Sequence, residues 1–394
     1  MYAYAAWITQ INLPRSSTFK IKRLLNVNEP TTKITRRSFL ATACATFYAD
    51  AGSTRQPYAS RSPVGAIRWD AWYAPRSFVT TAVEKTLGAS QFAWRRPKFA
   101  EECARGPSCF PPASQIAIDQ EIEMAVSARL DFWAFVSYET GSPMRKAFSL
   151  YMSSSKRHLI NFALICECER FGGNGHLSKL SIEHSQLILS DNYQKTPSGK
   201  SIYFIIINSV ESLIRHWGTL AKFKNALSQF KEIVKSDSNA NIELVALVPP
   251  PHQGSWIVSL GFTSVGSYSI ACTKRKSRFS DLASCVEESW ERSATAGYVV
   301  VPTVMTGWDR RPRHVNPVPW ERRNSNKHPQ VSFDQPTLPE LAKHIKNARR
   351  FSLKKLSPAI LVYAWNEFDE GGWMMPTVGD HGEKLRAVSK MYED

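Results

Sequence analysis

Pro358-Ala359-Ile360-Leu361-Val362-Tyr363-Ala364-Trp365-Asn366-Glu367-Phe368-Asp369-Glu370-Gly371-Gly372-Trp373 is the most informative stretch of this 394-residue chain. Its first half, residues 358–364, is continuously apolar, as a strand buried on both faces must be. Its second half turns at once into carboxylates, an amide and indole rings. A buried strand that delivers polar chemistry at its carboxyl end is the unit from which (β/α)8 barrels build their sites.

Seven similar runs lie upstream, at 64–73, 131–139, 159–167, 201–208, 241–249, 261–268 and 298–306. Helix-like stretches at 114–128, 217–234, 279–294 and 337–350 fall between them. Eight apolar runs alternating with helices predict an α/β chain closed as a (β/α)8 TIM barrel. No glycine-rich phosphate loop follows any run, which argues against a nucleotide-binding doubly wound sheet. Polar insertions at 74–113 and 307–336 would follow strands one and seven and overlie the barrel mouth.

The expected domain organisation is a leader over 1–49, a Ser-, Arg-, Ala- and Pro-rich linker over 50–62, and a single barrel domain over 63–394. Thr35-Arg36-Arg37-Ser38-Phe39-Leu40 resembles a twin-arginine export motif, followed by a moderately apolar stretch and the small residues Ala49 and Ala51. The expectation is a periplasmic or secreted protein, with a cytoplasmic extension as the alternative. The net charge is +16, and the basic residues are scattered without a nucleic-acid motif, which reads as a solvated basic surface. Apolar residues make up 43%, enough for a large core, yet no run reaches the length of a membrane-spanning helix.

Of the seven cysteines, Cys103 and Cys109 flank a Gly-Pro turn and could close a loop in an oxidising compartment; buried free thiols are the other reading. No Cys/His spacing suits a metal, so neither metal nor cofactor is expected. His184 and His252 carry no partner spacing and read as surface histidines.

The ends of the runs carry the candidate site. Run one ends in Trp69-Asp70-Ala71-Trp72-Tyr73, run two in Tyr138-Glu139, run six at Tyr268, and run seven leads into Trp308-Asp309. Run eight leads into Trp365, Asn366, Glu367, Glu370 and Trp373. Rings stack on the apolar faces of sugars, and carboxylates bind hydroxyls and move protons. Glycoside cleavage needs an acid for the leaving oxygen and a second carboxylate near the anomeric carbon. Glu367 and Glu370, three residues apart on a turn, are the catalytic candidates, and they would share a cavity if that turn were helix-like. The other polar and aromatic residues just named, Ala71 apart, are the candidate glycan-binding set.

The segment 365–371 resembles the Asn-Glu-Trp-x-Glu-Gly motif of the glycoside hydrolase family 99-like proteins, with Phe368 where that group has Trp. These include endo-α-mannosidases and the O-antigen-cluster proteins called WbsX, held to be glycosyltransferases. Gly307-Trp308-Asp309-Arg310-Arg311-Pro312-Arg313 is similar to that group's Gly-Trp-Asp segment, and Asp131-Phe132-Trp133-Ala134-Phe135 to its strand-two segment. The resemblance implies a retaining hydrolase of an α-linked, mannoside-like glycan. In it Glu367 assists the substrate's 2-hydroxyl as base, and Glu370 is the general acid, then base. A glycosyltransferase on a polysaccharide pathway and a carbohydrate-binding barrel without turnover are the alternatives.

Overall fold

A computed structural model of the chain describes residues 61–98, 114–238, 241–252, 255–272, 277–321 and 331–389. The leader, most of the linker, Cys44, Cys103 and Cys109 lie outside the described residues.

The eight apolar runs form eight parallel strands: β1 (Val64–Arg68), β2 (Phe132–Val136), β3 (Asn161–Glu167), β4 (Ser201–Ile206), β5 (Ile242–Leu247), β6 (Ser264–Gly266), β7 (Thr303–Met305) and β8 (Ile360–Tyr363). Each pairs with its sequence neighbours, and β8 returns to β1, with Val64 opposite Ile360 and Ala66 opposite Val362. The seam between β6 and β7 closes through a parallel bridge from Val265 to Val300, whose amide bonds run at 2.8 and 2.9 Å. The fold is thus a (β/α)8 TIM barrel.

Local chemistry explains the elements. The strand residues are almost all buried, matching sequence that is apolar without alternation. The helix Gln115–Ser127 begins where the Ser114 hydroxyl accepts from the Ala117 amide. Leu338–Lys355 begins with a capping box between Thr337 and Glu340 and has Pro339 in its first turn. Helices Phe78–Thr86, Lys146–Ser153 and Lys179–Leu187 complete connections that periodicity alone leaves unassigned.

Two features differ from the sequence reading. His184 and His252 are buried, with His184 Nδ1 at 2.7 Å from the Tyr203 hydroxyl and His252 Nδ1 at 2.8 Å from the Ser293 hydroxyl. Burial pushes the His184 imidazole down to about 3, so it is a neutral core group rather than a surface one. The disulfide of the described residues joins Cys272, after β6, to Cys285 on helix Phe279–Thr295, while Cys166 and Cys168 are buried free thiols. Among the described residues no helix is long and apolar enough to cross a membrane.

At the carboxyl end of β1 an arginine is buried completely. Arg68 donates to Asp70 at 2.9 and 3.0 Å, its Nη1 lies 3.0 Å from Glu121, and its guanidinium sits 4.3 Å from the Trp133 ring. Glu121, on helix Gln115–Ser127, also accepts from Trp365 Nε1 at 2.8 Å and from the Tyr73 hydroxyl. One cation therefore ties a strand, a helix and the segment after β8. Removing one partner of such a group strands the others in low dielectric, at a cost of about 3–5 kcal/mol. Arg68→Met should accordingly lower the thermal midpoint sharply; a midpoint equal to wild type would show that the cluster contributes nothing.

Candidate active site

The turn after β8 is a hairpin rather than a turn of helix. Asn366 pairs with Trp373 and Glu367 with Gly372, antiparallel, and residues 368–371 make the bend. Gly371 stands at φ +89°, and a Cβ there would come within 2.4 Å of the Asp309 amide nitrogen. That close approach joins the two loops: the Asp309 amide donates to the Glu370 carbonyl at 2.7 Å. The loop after β7 is in this way laid directly against the hairpin.

Both glutamates are buried, at 0% and 1% exposure, and both face Arg313 from the β7 loop. Glu370 accepts from Arg313 Nη1 and from the Tyr363 hydroxyl, each at 2.5 Å, and Arg310 Nε lies 3.2 Å away. Glu367 accepts from the Tyr268 hydroxyl at 2.7 Å. Its other oxygen has no hydrogen-bond partner among the described residues and lies 3.9 Å from Arg313 Nη2. Asp369 takes the side of the guanidinium, from Nε at 2.8 Å and Nη2 at 3.3 Å.

These surroundings split the pair. Burial raises the Glu367 carboxyl well above the usual carboxylate range, and the neighbouring Glu370 charge raises it further. Burial acts on Glu370 in the same sense, but Arg313, Arg310 and the Tyr363 hydroxyl outweigh it and hold the group below its ordinary value. The two carboxyls are thus pushed in opposite directions, the arrangement that acid–base chemistry uses.

Several other candidates gather here. Trp69 lies under the Arg313 guanidinium, 5.5 Å from it, and donates from Nε1 to the Tyr138 hydroxyl at 2.8 Å. The Tyr138 ring is itself covered by Arg170 at 3.9 Å. Tyr268 meets Glu367 directly, and Trp308 packs 5.8 Å from the Tyr363 ring. Asn366 accepts from the Trp69 amide at 3.0 Å and donates to Asp70 at 2.9 Å, fixing the peptide next to Glu367. Glu139 follows β2 with its side chain exposed.

The remaining candidates face other partners. Tyr73 and Trp365 are bound to Glu121 in the core. Trp72 and Trp373 pack against Phe368, at 5.3 and 6.4 Å, and Lys384 stacks on Trp373 at 3.5 Å. Asp309 is held by Arg95 and Arg311, and these arginines keep it below the usual range although burial opposes them.

Sequence reasoning did not single out Arg313, Arg310, Tyr363 or Glu321, whose carboxylate accepts from Arg313 at 2.8 Å and pairs with Arg310. The arginines were in plain view in the run that follows Trp308. Nothing in spacing alone says that a loop arginine folds back onto a hairpin some fifty residues on. Trp320, beside Glu321, packs edge-on to Trp69 at 6.0 Å.

No protein-family model matches the chain, and no curated protein matches it in sequence. Among solved structures it is similar to the GH99 endo-α-mannosidase of Bacteroides thetaiotaomicron in complex with bis-tris propane. The TM-score is 0.52 at 12% identity, over 82% of this chain and 94% of that one. A second structure of the GH99 endo-α-mannosidase from the same organism gives a TM-score of 0.50, again at 12% identity, over 82% of this chain and 95% of that one. At such identity the likeness establishes the barrel.

The ionisation split has a consequence for stability. Glu367, raised in the folded state, costs stability wherever the unfolded carboxyl would ionise, from about pH 4.3 upward. That cost is complete once pH exceeds the folded value. Glu367→Gln removes it. The variant should melt a few degrees above wild type at neutral and alkaline pH, with the gain fading toward pH 4. Thermal melts across pH check this; a variant that melts lower than wild type at pH 8 would contradict the assigned direction.

Proposed function

We propose that this chain is a glycoside hydrolase that cleaves an α-linked, mannoside-like glycan with Glu367 and Glu370. The observation that carries the reading is the pair itself: two buried carboxyls pushed in opposite directions, at the end of β8 in a barrel, facing two nitrogens of one arginine. Active sites of such barrels lie at this face. Trp69, Tyr138, Tyr268 and Trp308 supply rings beside the carboxyls, as pyranose binding asks. The resemblance of 365–371 to the family 99-like motif and the fold shared with endo-α-mannosidases support the sugar class.

The chemistry divides as the ionisation does. Glu367 gives its proton to the glycosidic oxygen as that oxygen takes the electron pair of the breaking bond to the anomeric carbon. Glu370, as carboxylate, accepts the proton of the group that attacks the anomeric carbon, the substrate's 2-hydroxyl or water. This order is the reverse of the one the resemblance implies, and it follows the bonds: an arginine and a tyrosine donate to Glu370, a tyrosine alone to Glu367. Export of the protein belongs to the same proposal: the leader motif at Arg36-Arg37 favours it, and the Cys272–Cys285 disulfide suits an oxidising compartment.

Two sets of measurements test the reading. On α-linked substrates with poor leaving groups, Glu367→Gln and Glu370→Gln should each lower kcat/KM by a factor on the order of 10² to 10⁴. On activated aryl α-glycosides, which depart with little protonation, Glu367→Gln should lose far less and Glu370→Gln just as much. Near-wild-type turnover in either variant removes that residue from the mechanism, and the opposite pattern on the aryl glycosides restores the roles implied by the resemblance. For export, Arg36→Lys combined with Arg37→Lys should leave the protein in the cytoplasm; an unchanged distribution between compartments would reject the leader.

A further inference from the structure

Arg313 is 3% exposed and its guanidinium is surrounded by four carboxylates and an indole. Asp369 occupies Nε and one side of Nη2, at 2.8 and 3.3 Å. This side-on fork fixes the plane of the guanidinium, because a planar donor set bound at two points cannot rotate. With the plane fixed, Nη1 is delivered to Glu370 at 2.5 Å and to Glu321 at 2.8 Å. Nη2 is left 3.9 Å from Glu367, beyond hydrogen-bonding reach. A single cation thus bonds one of the two glutamates and stops short of the other.

We propose that Arg313 is the positioning residue of this site: anchored by Asp369, it pairs with Glu370 and withholds a hydrogen bond from Glu367, and so decides which glutamate is the acid. This rests on the hydrolase reading for its catalytic meaning, but the division of the pair is a property of the protein alone. On Glu370 no other side chain acts as strongly as Arg313. Tyr268 and Tyr363 donate one bond to each glutamate, so the tyrosines are balanced. Glu321 neutralises part of Arg310, its closer partner, which leaves Arg310 the weaker influence on Glu370 at 3.2 Å. Tyr138 reaches Glu367 only through space. Asp369 is negative and disfavours charge on Glu367. Arg310 and Asp369 push the pair the same way, and the largest side-chain influence on Glu370 is the direction in which one guanidinium is held.

A lysine cannot reproduce that geometry, since it has no fork with which to grip Asp369 while reaching Glu370. The experiment is a pH titration of the carboxyl stretch by infrared difference spectroscopy, with Glu367→Gln and Glu370→Gln assigning the two bands. In Arg313→Met the Glu370 band should titrate on the order of 1–3 pH units higher than in wild type. In Arg313→Lys it should fall between the two. Arg95→Met, which breaks the buried pair with Asp309 on the same loop, serves as the control for general loosening and should leave the Glu370 band in place. Should Arg313→Met fail to fold, Arg313→Lys against Arg95→Met decides alone. A Glu370 band at the wild-type position in Arg313→Met or Arg313→Lys overturns the proposal, and so does an equal shift in Arg95→Met. None of this requires turnover, so a protein inactive on every glycoside would remove the hydrolase reading while leaving this result to stand or fall on its own. Where there is turnover, the acid limb of kcat/KM should rise with the Glu370 band.

Discussion

The side chain of Asn366 makes the bond on which the site depends. Through one amide it joins the end of β8 to the end of β1, accepting from the Trp69 backbone and donating to Asp70. Asp70 is in turn held by Arg68, and Arg68 by Glu121. Buried polar groups in such a chain are costly singly and stable together, because each satisfies the next. The chain fixes the residue immediately before Glu367. In the proposed function Glu367 needs a firmly held backbone, and this network supplies it.

From that anchor the hairpin 366–373 carries Glu367 and Glu370 to different nitrogens of Arg313. Both carboxyls meet the same loss of water, so burial alone gives no preference between them. The preference arises because Arg313 and Arg310 come from the loop after β7, which the glycine contact at Gly371 presses against one side of the hairpin. Strand order in the barrel therefore bears on the chemistry: β7 and β8 are neighbours, and their loops interlock before either meets a substrate.

The eight strands were legible because a parallel barrel buries both faces of each strand and leaves runs such as 201–206 without a polar residue after Ser201. Their lengths were less so. The β6 run expected over 261–268 contributes three residues, Ser264–Gly266, to the sheet, and β7 likewise contributes Thr303–Met305. Apolar character reports burial, not regular pairing: Val300 and Val301, before β7, are buried and meet β6 through an isolated bridge at Val265. Arg68 does carry a signal: a charge inside an apolar run has to be paired, and Glu121, on the buried face of helix Gln115–Ser127, pairs with it. The Cys272–Cys285 bridge left no such trace, because its thirteen-residue spacing is ordinary and only the docking of helix Phe279–Thr295 brings the sulfurs together.

The tryptophans separate by what their nitrogens do. Trp365 donates to Glu121 and Trp373 to Asp380, each a bond that orients the ring into protein. Trp72 donates to the Asn366 carbonyl and braces the hairpin from outside the glutamate pair. Trp69 instead donates to Tyr138, another ring at the barrel mouth, and lies beneath Arg313. Sequence shows that all four follow strand ends but says nothing of where an indole N–H finds its acceptor. The acceptor decides whether the ring is spent on holding the hairpin or is left facing the carboxyls. By that criterion Trp69 is the ring of the four that stays with the carboxyls, and the proposed function would use it, with Trp308 beside Tyr363, as a sugar face. The rings packed on Phe368 serve to keep Glu367 and Glu370 where Arg313 can tell them apart.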